Sequence, residues 1–395
     1  MGIVISGVGM VSALGTGVGS AVAAMRAGVS GISSVPEVLC TSNRLPVGEL
    51  RMTNARLHAM LGIDAGRHLS RTALLGIAAV REALRDAGIG EGLRVGLVSA
   101  TSVGGMDLTE RFFREFMADD SKGRLRDVRM HDCAASTEAI ARYCGITGYS
   151  TTVSTACSSA ANAIMTGARL IRHGIVDCVV AGGTDALSAF TLNGFKSLMI
   201  LDERPCRPFD ASRAGLNLGE GAGFVVLQRE EDAKSPYCRL AGFANSNDAH
   251  HQTASSQDGE GAYLAMKGAL SVAGMEPHQV DYVNVHGTGT PNNDASEGEA
   301  MKRLFGGRIP PFSSTKAFTG HTLAAAGGIE AVLSALAVKH GFLYPNLNFT
   351  TPVEGSDLIP VREFSEGADL RCVLSNSFGF GGNCSSLVFV KTDMP

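Results

Sequence analysis

Short runs of β-branched and apolar residues alternate along the chain with longer segments in which apolar positions recur every three or four residues. The runs are bounded by glycine or turn residues and predict strands, whereas the longer segments predict helices. This alternation is typical of a layered α/β fold. In the first part of the chain the predicted strands are residues 2–5, 94–99, 151–154, 176–181 and 224–228.

The same patterns continue to the end of the chain. The clearest early helix covers 70–87, where Ser70 can cap the start and Gly88 the end. A second set of elements follows it. This set comprises strands at 238–243, 281–286, 373–376 and 387–390 and helices at 261–272, 295–304 and 322–340.

The polar stretch 228–237 is the candidate boundary between two halves of the chain. Each half opens with a strand that runs into a turn of small residues, at 7–9 and at 242–245, which suggests an internal duplication. A chain of 395 residues is long enough for two domains of ordinary size. We therefore predict an N-terminal domain of residues 1–236 and a C-terminal domain of 237–395.

Composition excludes several classes of protein. Apolar residues make up 45 % and charged residues 18 %, which excludes a disordered chain. A net charge of −4 and the absence of tryptophan argue against a nucleic-acid partner. Residues 1–25 and 143–168 carry no charge, but their glycine, serine and threonine content indicates buried elements and not membrane spans. Nine cysteines without a C-x-x-C pair favour a reducing, cytoplasmic location.

The sequence around Cys157 carries the strongest chemical signal. A β-branched run at 151–154 leads to the cysteine, and an alanine-rich helical pattern continues from it to His173 and ends at Gly174. Cys157 is therefore predicted at a helix N-terminus, where free backbone N–H groups favour the thiolate and can bind an oxyanion. The alternative is a small buried apolar residue, as most free cysteines are.

Two histidines lie at the ends of predicted elements. His286 follows a strand, at the edge where α/β sheets bind ligands, and precedes a Gly-Thr-Gly-Thr-Pro turn. His321 is expected to begin a long helix, a position that disfavours imidazolium, so its ring should stay neutral and donate one hydrogen bond. Lys316 precedes His321, and Glu330 on the same helix is a candidate partner for the lysine.

Metal binding is the competing interpretation of these histidines. Neither His286 nor His321 has a carboxylate or thiol at a recognisable ligand spacing, so we expect no metal. His250 and His251 are the weakest candidates, because adjacent residues rarely point into one site. We interpret them as a loop pair.

A glycine-rich segment, 376–384, separates the last two predicted strands. Three glycines around Phe380 are typical of a mobile loop that carries one bulky apolar side chain. The functional interpretation is a gate over an apolar tunnel, with the Phe380 N–H as a second oxyanion donor. The structural interpretation is a hairpin turn with a core phenylalanine, and the pattern leaves both open.

Four of these segments together resemble the motifs of the elongating β-ketoacyl-acyl carrier protein synthases, in the thiolase-like condensing superfamily. Lesser matches extend the resemblance over essentially the whole chain, and the order of the four motifs specifies the family but not the substrate. The motifs are Thr-Ala-Cys-Ser-Ser-Ala at Cys157, Val-His-Gly-Thr-Gly-Thr-Pro at His286, Thr-Lys-Ala-Phe-Thr-Gly-His ending at His321 and Asn-Ser-Phe-Gly-Phe-Gly-Gly around Phe380.

The resemblance implies a fold and a site. The fold would be a thiolase-like five-layered αβαβα sandwich built from two pseudo-repeated halves, usually as a homodimer. The catalytic residues would be Cys157, His286 and His321, supported by Lys316. Phe380 would gate the site and share the oxyanion N–H groups with Cys157. The implied substrate-binding residues are Thr288, Thr290 and Phe378.

The implied reaction is a decarboxylative Claisen condensation that needs no cofactor. An acyl chain would pass from acyl carrier protein to Cys157, and malonyl-carrier protein would lose carbon dioxide and attack it, giving a 3-oxoacyl product. The partners would be acyl carrier protein and a second copy of the chain or a related subunit. The pathway would be fatty acid or related polyketide or aryl-polyene synthesis.

A thiolase and a non-catalytic chain-length-factor-like subunit are the alternatives. A thiolase needs a second cysteine as base, and Cys384 matches no such motif, whereas a chain-length factor lacks the nucleophile. Two segments depart from the family pattern. Asn383-Cys384 replaces the usual Thr-Asn, a change that bears on the gate, and 216–221 varies a glycine-rich segment.

Two further expectations concern the surface and the substrate pocket. Arg67 with Arg71, or Arg204 with Arg207, are candidate docking residues for an acidic carrier protein, with ordinary solvated charge as the alternative. The small residues 133–136 are candidates for lining a pocket.

Overall fold

The computed structural model describes residues 2–34, 36–38, 45–90 and 92–394, and within these ranges the chain forms thirteen strands and twelve α-helices. The strands are β1 (Ile3–Ser12), β2 (Gly15–Thr16), β3 (Ile32–Ser33), β4 (Val47–Gly48), β5 (Val95–Ala100), β6 (Ser150–Val153), β7 (Cys178–Asp185), β8 (Gly221–Arg229), β9 (Cys238–Asn247), β10 (Tyr282–Asn284), β11 (Phe312–Ser313), β12 (Cys372–Phe378) and β13 (Asn383–Val390). The helices are α1 (Val18–Arg26), α2 (Asn54–Leu61), α3 (Arg71–Ala87), α4 (Met106–Ala118), α5 (Leu125–Val128), α6 (Cys133–Tyr143), α7 (Ser159–Arg172), α8 (Ala189–Ser197), α9 (Glu260–Ala273), α10 (Pro291–Phe305), α11 (Lys316–Thr319) and α12 (Ala326–His340).

The two halves of the chain repeat one strand topology. Leaving aside the short strands β2, β3 and β4, the order is β6-β5-β7-β8-β1 in the first half and β11-β10-β12-β13-β9 in the second. In each half the two pairings next to the outer edge are parallel and the other two are antiparallel. The halves meet where β1 pairs with β9. An internal duplication, as the sequence suggested, produces this match, and residue 236 lies between β8 and β9.

Helices cover the outer faces of the two halves and fill the space between them. α3 packs on β1, β8 and β7 on one outside face, and α9 packs on β9 and β13, beside α10, on the other. Between them, α7 packs on β7 and β5, α12 packs on β8 and β12, and the two helices contact each other. The result is the expected five-layered αβαβα sandwich.

The central layer is the apolar centre of the molecule. α7 and α12 share one core with side chains from both halves of the sheet, including Ile5, Val179 and Phe389. The window Leu323–His340 is long and apolar enough to cross a membrane by length and composition, and 89 % of it is buried inside the protein. A core helix of this kind needs no polar face because sheets cover it on both sides.

The strongest patterns of the sequence gave the right elements, and the weaker ones did not. Ser70 caps α3 by accepting the Ala73 N–H at 3.2 Å, and Gly88 ends it with a φ of 55°. The helices α1, α2, α4, α5, α6 and α8 were not among the predicted elements. α10 begins at Pro291, four residues earlier than predicted, because Thr290 caps it.

Candidate active site

Cys157 lies on a tight turn between β6 and α7. Ala156 has a φ of 52°, which is uncommon for a residue that carries a Cβ atom. Ser159 Oγ holds the turn by accepting the Thr155 N–H at 2.7 Å and donating to the Ala156 carbonyl at 2.5 Å. We call residues 155–159 the nucleophile elbow. The predicted change from strand to helix at Cys157 is therefore confirmed.

Two cavities meet at Cys157. The outer cavity has a volume of about 330 Å³, and the inner cavity, which is mostly apolar, about 520 Å³. Phe195 and Phe380 line both cavities, and their rings stack with centroids 5.8 Å apart. These two rings therefore form the partition between the cavities. The predicted site residues that line the outer cavity are Cys157, His286, Thr288, Thr290, His321, Phe378 and Phe380.

The two histidine rings face each other within the outer cavity. The ring centroids of His286 and His321 are 5.4 Å apart with the planes at 84°, and Phe378 packs 5.8 Å from His286. The Leu323 N–H donates to Nδ1 of His321 at 3.2 Å, so Nε2 carries the hydrogen of the neutral ring. Nδ1 of His286 is buried without a hydrogen-bond partner, which favours the same tautomer because an orphaned N–H is costly.

Both rings are neutral, as expected for His321, but the main cause differs from the one expected. Burial lowers the pKa of His286 and of His321 well below the ordinary value of 6.5, and the charge on Lys316 lowers both further. α12 begins only at Ala326, after a 3-10 turn, so the α-helix N-terminus is not at the His321 ring. Burial therefore accounts for most of the lowering of both histidine pKa values.

Lys316 is a buried cation at the start of α11. Its Nζ donates to the His286 carbonyl at 2.6 Å and to the carboxylate of Glu330, the partner suggested by the sequence. Both side chains of this ion pair are at most 3 % exposed. The pair fixes the backbone of the His286 turn and places one positive charge beside the cavity.

Glu297 on α10 is a supporting residue that the sequence patterns missed. Its carboxylate accepts the backbone N–H groups of His286 at 2.9 Å and Gly287 at 2.8 Å, and the side-chain amide of Asn376 at 3.0 Å. Burial raises the pKa of Glu297 to about 7. An acidic residue on the buried face of a helix is the only sequence signal that points to it.

The expectation of a resting thiolate at Cys157 is wrong. Burial raises the pKa of the Cys157 thiol to about 11. The charge on Lys316 and a hydrogen bond from the Phe380 N–H act in the opposite direction, whereas Asp185 and Glu330 raise the pKa further. Desolvation is thus the largest influence on the pKa of this thiol.

The loop between β12 and β13, which we call the gate loop, carries Phe380 at its tip. The Gly379 N–H donates to the Asn383 carbonyl at 2.9 Å, which closes the base of the loop. A Cβ atom on Gly379 would lie only 3.1 Å from the Cys157 nitrogen, so glycine allows the loop to approach the elbow. Phe380 is half-buried and not a core residue. The gate loop is therefore both a hairpin turn and part of the cavity wall.

The rim of the outer cavity is polar. Thr288 and Thr290 have hydroxyl groups 2.9 Å apart, and Thr290 also accepts the Asn293 N–H at 3.3 Å as the cap of α10. The loop 248–255, which includes His251, also lines this cavity, and the Ser255 N–H donates to Asn292 Oδ1 at 2.8 Å. His251 is thus a loop residue, as expected, but it lines the outer cavity, which the sequence did not indicate.

In each predicted pair of docking arginines, one arginine is buried and the other is exposed. Arg71 is buried in an ion pair with Glu220 at 2.6 Å, and Arg207 is buried in an ion pair with Asp202 at 2.5 Å. The docking role expected for Arg71 and Arg207 is therefore wrong, because neither guanidinium is accessible. The exposed members of the two pairs are Arg67 and Arg204.

Two further expectations concern residues 133–136 and a metal ion. Residues 133–136 begin α6 and do not belong to the lining that this single chain gives either cavity at Cys157, so their role in a pocket stays a prediction. In the part of the chain that the structure describes, no group of three His, Cys, Asp or Glu side chains could hold a metal ion.

Comparison with known proteins gives end-to-end matches. A 3-oxoacyl-acyl-carrier-protein synthase 2 of Staphylococcus aureus (strain COL) is 34 % identical over 408 residues, covering 98 % of each chain. The solved structure of the ishigamide ketosynthase/chain length factor superposes with a TM-score of 0.89 at 30 % identity, covering 99 % of both chains. The ketosynthase ApeO, solved with its chain length factor ApeC from Xenorhabdus doucetiae, has a TM-score of 0.87 at 33 % identity, covering 99 % of this chain and 98 % of that one.

Two family descriptions match consecutive parts of the chain. Residues 1–233 match the N-terminal domain of beta-ketoacyl synthase, and residues 237–350 match its C-terminal domain. These matches, the relatives and the shared fold agree with one another. The chain belongs to the β-ketoacyl synthase family of condensing acyltransferases.

Proposed function

We propose that this protein condenses malonyl-acyl carrier protein with an acyl chain bound to Cys157, giving a 3-oxoacyl-acyl carrier protein. One observation carries the proposal. The buried sulfur and two neutral imidazoles share one cavity, where a second, apolar cavity begins. This arrangement offers a nucleophile, two hydrogen-bond donors for a developing negative charge and space for a chain.

The first step loads the acyl chain. Cys157 sulfur attacks the thioester carbonyl of acyl-carrier protein, and the backbone N–H groups of Cys157 and Phe380 stabilise the tetrahedral oxyanion. The bond between the carbonyl carbon and the pantetheine sulfur then breaks. The thiol proton of Cys157 ends on the departing carrier thiol, so the products are an acyl-Cys157 thioester and free carrier protein.

The second step forms the carbon–carbon bond. Malonyl-carrier protein enters the outer cavity, where Thr288 and Thr290 bind its phosphopantetheine arm. The bond to the malonyl carboxylate breaks and carbon dioxide leaves, while His286 and His321 donate from Nε2 to the thioester oxygen of the resulting enolate. The enolate carbon attacks the acyl carbonyl, Cys157 departs as thiolate, and a proton from water restores the thiol.

The acyl chain lies in the inner cavity in this proposal. The cavity opens onto a face of α8 on which Phe190 is 61 % and Leu198 43 % exposed. An acyl chain there needs a cover, because apolar surface in water is unfavourable. A second chain of the same family, either a copy or a related subunit, provides it, and the two solved relatives described above include a chain length factor. The pathway is fatty acid or polyketide synthesis, and the predicted location is the cytoplasm.

The two alternative functions fit the site less well. A chain-length-factor-like subunit has no use for a nucleophilic cysteine on a strained elbow beside neutral histidines. A thiolase needs a second cysteine as base, and Cys384 does line the outer cavity. Burial, together with the charges of Asp248 and Glu297, raises the pKa of Cys384 to about 12, however. Such a thiol does not serve as a base near neutral pH.

The test follows the acyl group by mass spectrometry. Wild-type protein incubated with a panel of acyl-carrier proteins should gain an acyl mass on the Cys157 peptide. Cys157→Ala should gain none, while malonyl-carrier protein should still lose carbon dioxide. Cys384→Ala is the matched control and should load like the wild type. Acylation that persists in Cys157→Ala, or that maps to Cys384, would contradict the proposal.

A further inference from the structure

We infer that Asn383 is a positioning residue that clamps the gate loop onto the nucleophile elbow. The inference rests on the proposed function and starts from the place where this chain departs from its family pattern. Asn383 lies at the junction of the gate loop and β13. Its side chain points away from the loop tip toward the first turn of α7.

Three donors converge on the Asn383 amide oxygen. Ser158 Oγ approaches Oδ1 at 2.6 Å, Asn162 Nδ2 at 2.9 Å and Asn245 Nδ2 at 2.8 Å. Ser158 follows the nucleophile directly, Asn162 lies one turn along α7, and Asn245 lies on β9. One oxygen thus joins three elements that come from both halves of the chain.

Further hydrogen bonds close this cluster into a network. Asn162 also donates to Thr155 Oγ1 at 2.9 Å, which returns to the strand side of the elbow. Ser385 Oγ donates to Asn162 Oδ1 at 2.9 Å and accepts from Asn245 Nδ2 at 2.9 Å. Every amide in the network therefore has its orientation set by more than one partner, which makes the geometry stiff.

The backbone of Asn383 links the position of its side chain to the Phe380 N–H and the Cys157 sulfur. Its carbonyl accepts the Gly379 N–H at 2.9 Å, and the next residue, Phe380, directs its N–H at the Cys157 sulfur. A shift of the Asn383 side chain would move this N–H away from the place where an oxyanion forms. The phenyl ring of Phe380 is half-buried and lies on the other side of the loop, against Phe195. The network thus fixes the base of the loop, while backbone hydrogen bonds to Gln252 and Asp248 hold Gly381 and Gly382.

The neutral amide suits this position. A carboxylate would accept the same three donors but would add a negative charge beside the sulfur, and this charge would disfavour the thiolate and the enolate. A leucine has the same size but accepts nothing. A comparison of asparagine, aspartate and leucine at position 383 therefore separates the effect of the hydrogen bonds from the effect of charge. This comparison is the test.

The experiment compares Asn383→Leu, Asn383→Asp and wild type in acyl loading from acyl-carrier protein and in alkylation of Cys157 by iodoacetamide across pH 7–10. Asn383→Leu should lower the loading rate at saturating carrier protein about 10- to 100-fold, as loss of an oxyanion donor does, with KM within about threefold. It should also slow alkylation, because the thiolate loses the Phe380 N–H. Asn383→Asp should retain loading better than leucine, but its added negative charge should also lower the alkylation rate at each pH.

Thr166→Val is the matched control. It removes a hydroxyl group from α7 that donates to the Asn162 carbonyl at 2.8 Å, one turn beyond the network, and should leave both rates near wild type. Asn162→Ala replaces Asn383→Leu as the test variant should the latter fail to fold. Wild-type rates in these variants, or an equal loss in Thr166→Val, would overturn the inference. If the wild type itself does not load acyl groups, the proposed function fails, while the alkylation profiles still decide the role of Asn383.

Discussion

At the scale of single residues, strained backbone marks the site. Ala156, Met199 and Leu323 carry side chains at φ values of 52°, 57° and 52°. Ala156 precedes Cys157, the Leu323 N–H donates to His321, and Met199 lines the outer cavity. Each such conformation costs on the order of 1 kcal/mol or more and persists because the surrounding structure enforces it. The site is therefore built before a substrate arrives.

The pKa of Cys157 gives a prediction at this scale. Because burial raises that pKa to about 11, the free enzyme holds a thiol at neutral pH. The rate of alkylation by iodoacetamide should therefore rise about tenfold for each pH unit between pH 7 and 9.5, without a plateau. Stopped samples analysed by mass spectrometry of the Cys157 peptide measure this rate. A rate that is already independent of pH at pH 7 would contradict this prediction, because the thiol would then be ionised despite its burial.

Single residues also show what the sequence could and could not predict. Cys157, His286 and His321 could be predicted because each lies in a short sequence motif at the end of an element. The protonation state of Cys157 could not be predicted, because it depends on how completely the folded chain removes water from the thiol. Arg71 was mistaken for a surface charge because its partner, Glu220, lies 149 positions away, and no local pattern reports such a pair.

At the scale of elements, the site is assembled from the starts of helices and the ends of strands. α7 and α12 run side by side in the central layer and bring the elbow and His321 to the same end of the sandwich. α11 and α12 are joined by the buried pair of Lys316 and Glu330, which supports the His286 turn. α7 and α12 were predictable from their long alanine-rich stretches, but their pairing across the layer was not.

The buried ion pair gives a prediction at this scale. Lys316→Met leaves the Glu330 carboxylate buried without its cation, which should lower the free energy of unfolding by about 3–5 kcal/mol. The double variant Lys316→Met with Glu330→Gln should recover much of that loss, as measured by urea denaturation. Acyl loading should remain impaired in the double variant, because Lys316 also lowers the pKa of Cys157. A single variant as stable as the wild type would show that the pair is not needed for folding.

At the scale of the whole molecule, an apolar face remains uncovered. Phe113, Met117, Leu125 and Phe190 are 58–76 % exposed, on α4, α5 and α8, and α4 contacts both other helices. The edge strand β6 belongs to the same half and ends three residues before Ala156. Exposed apolar side chains grouped on neighbouring helices are typical of a protein interface. The sequence did not reveal it, because α4 and α5 were not predicted.

The uncovered face gives the prediction for the whole molecule. If this face joins two chains, as proposed, Phe113→Asp combined with Leu125→Asp should yield single chains in sedimentation velocity where the wild type sediments as a dimer, because buried charge opposes association. Loading of long acyl chains should fall as well, since the proposed cover of the inner cavity is lost. Val272→Asp changes an exposed residue on α9, in the other half, and should alter neither property. An unchanged sedimentation coefficient in the double variant would exclude this face as the interface.

The repeated strand topology has a consequence for how an asymmetric site arises. α7 and α12 occupy equivalent places in the two repeats, so the residues that precede them are structural counterparts. Two separate copies of one half would have to present the same side chain at both places. Fusion into one polypeptide removes that constraint, and here one repeat supplies a sulfur while the other supplies an imidazole.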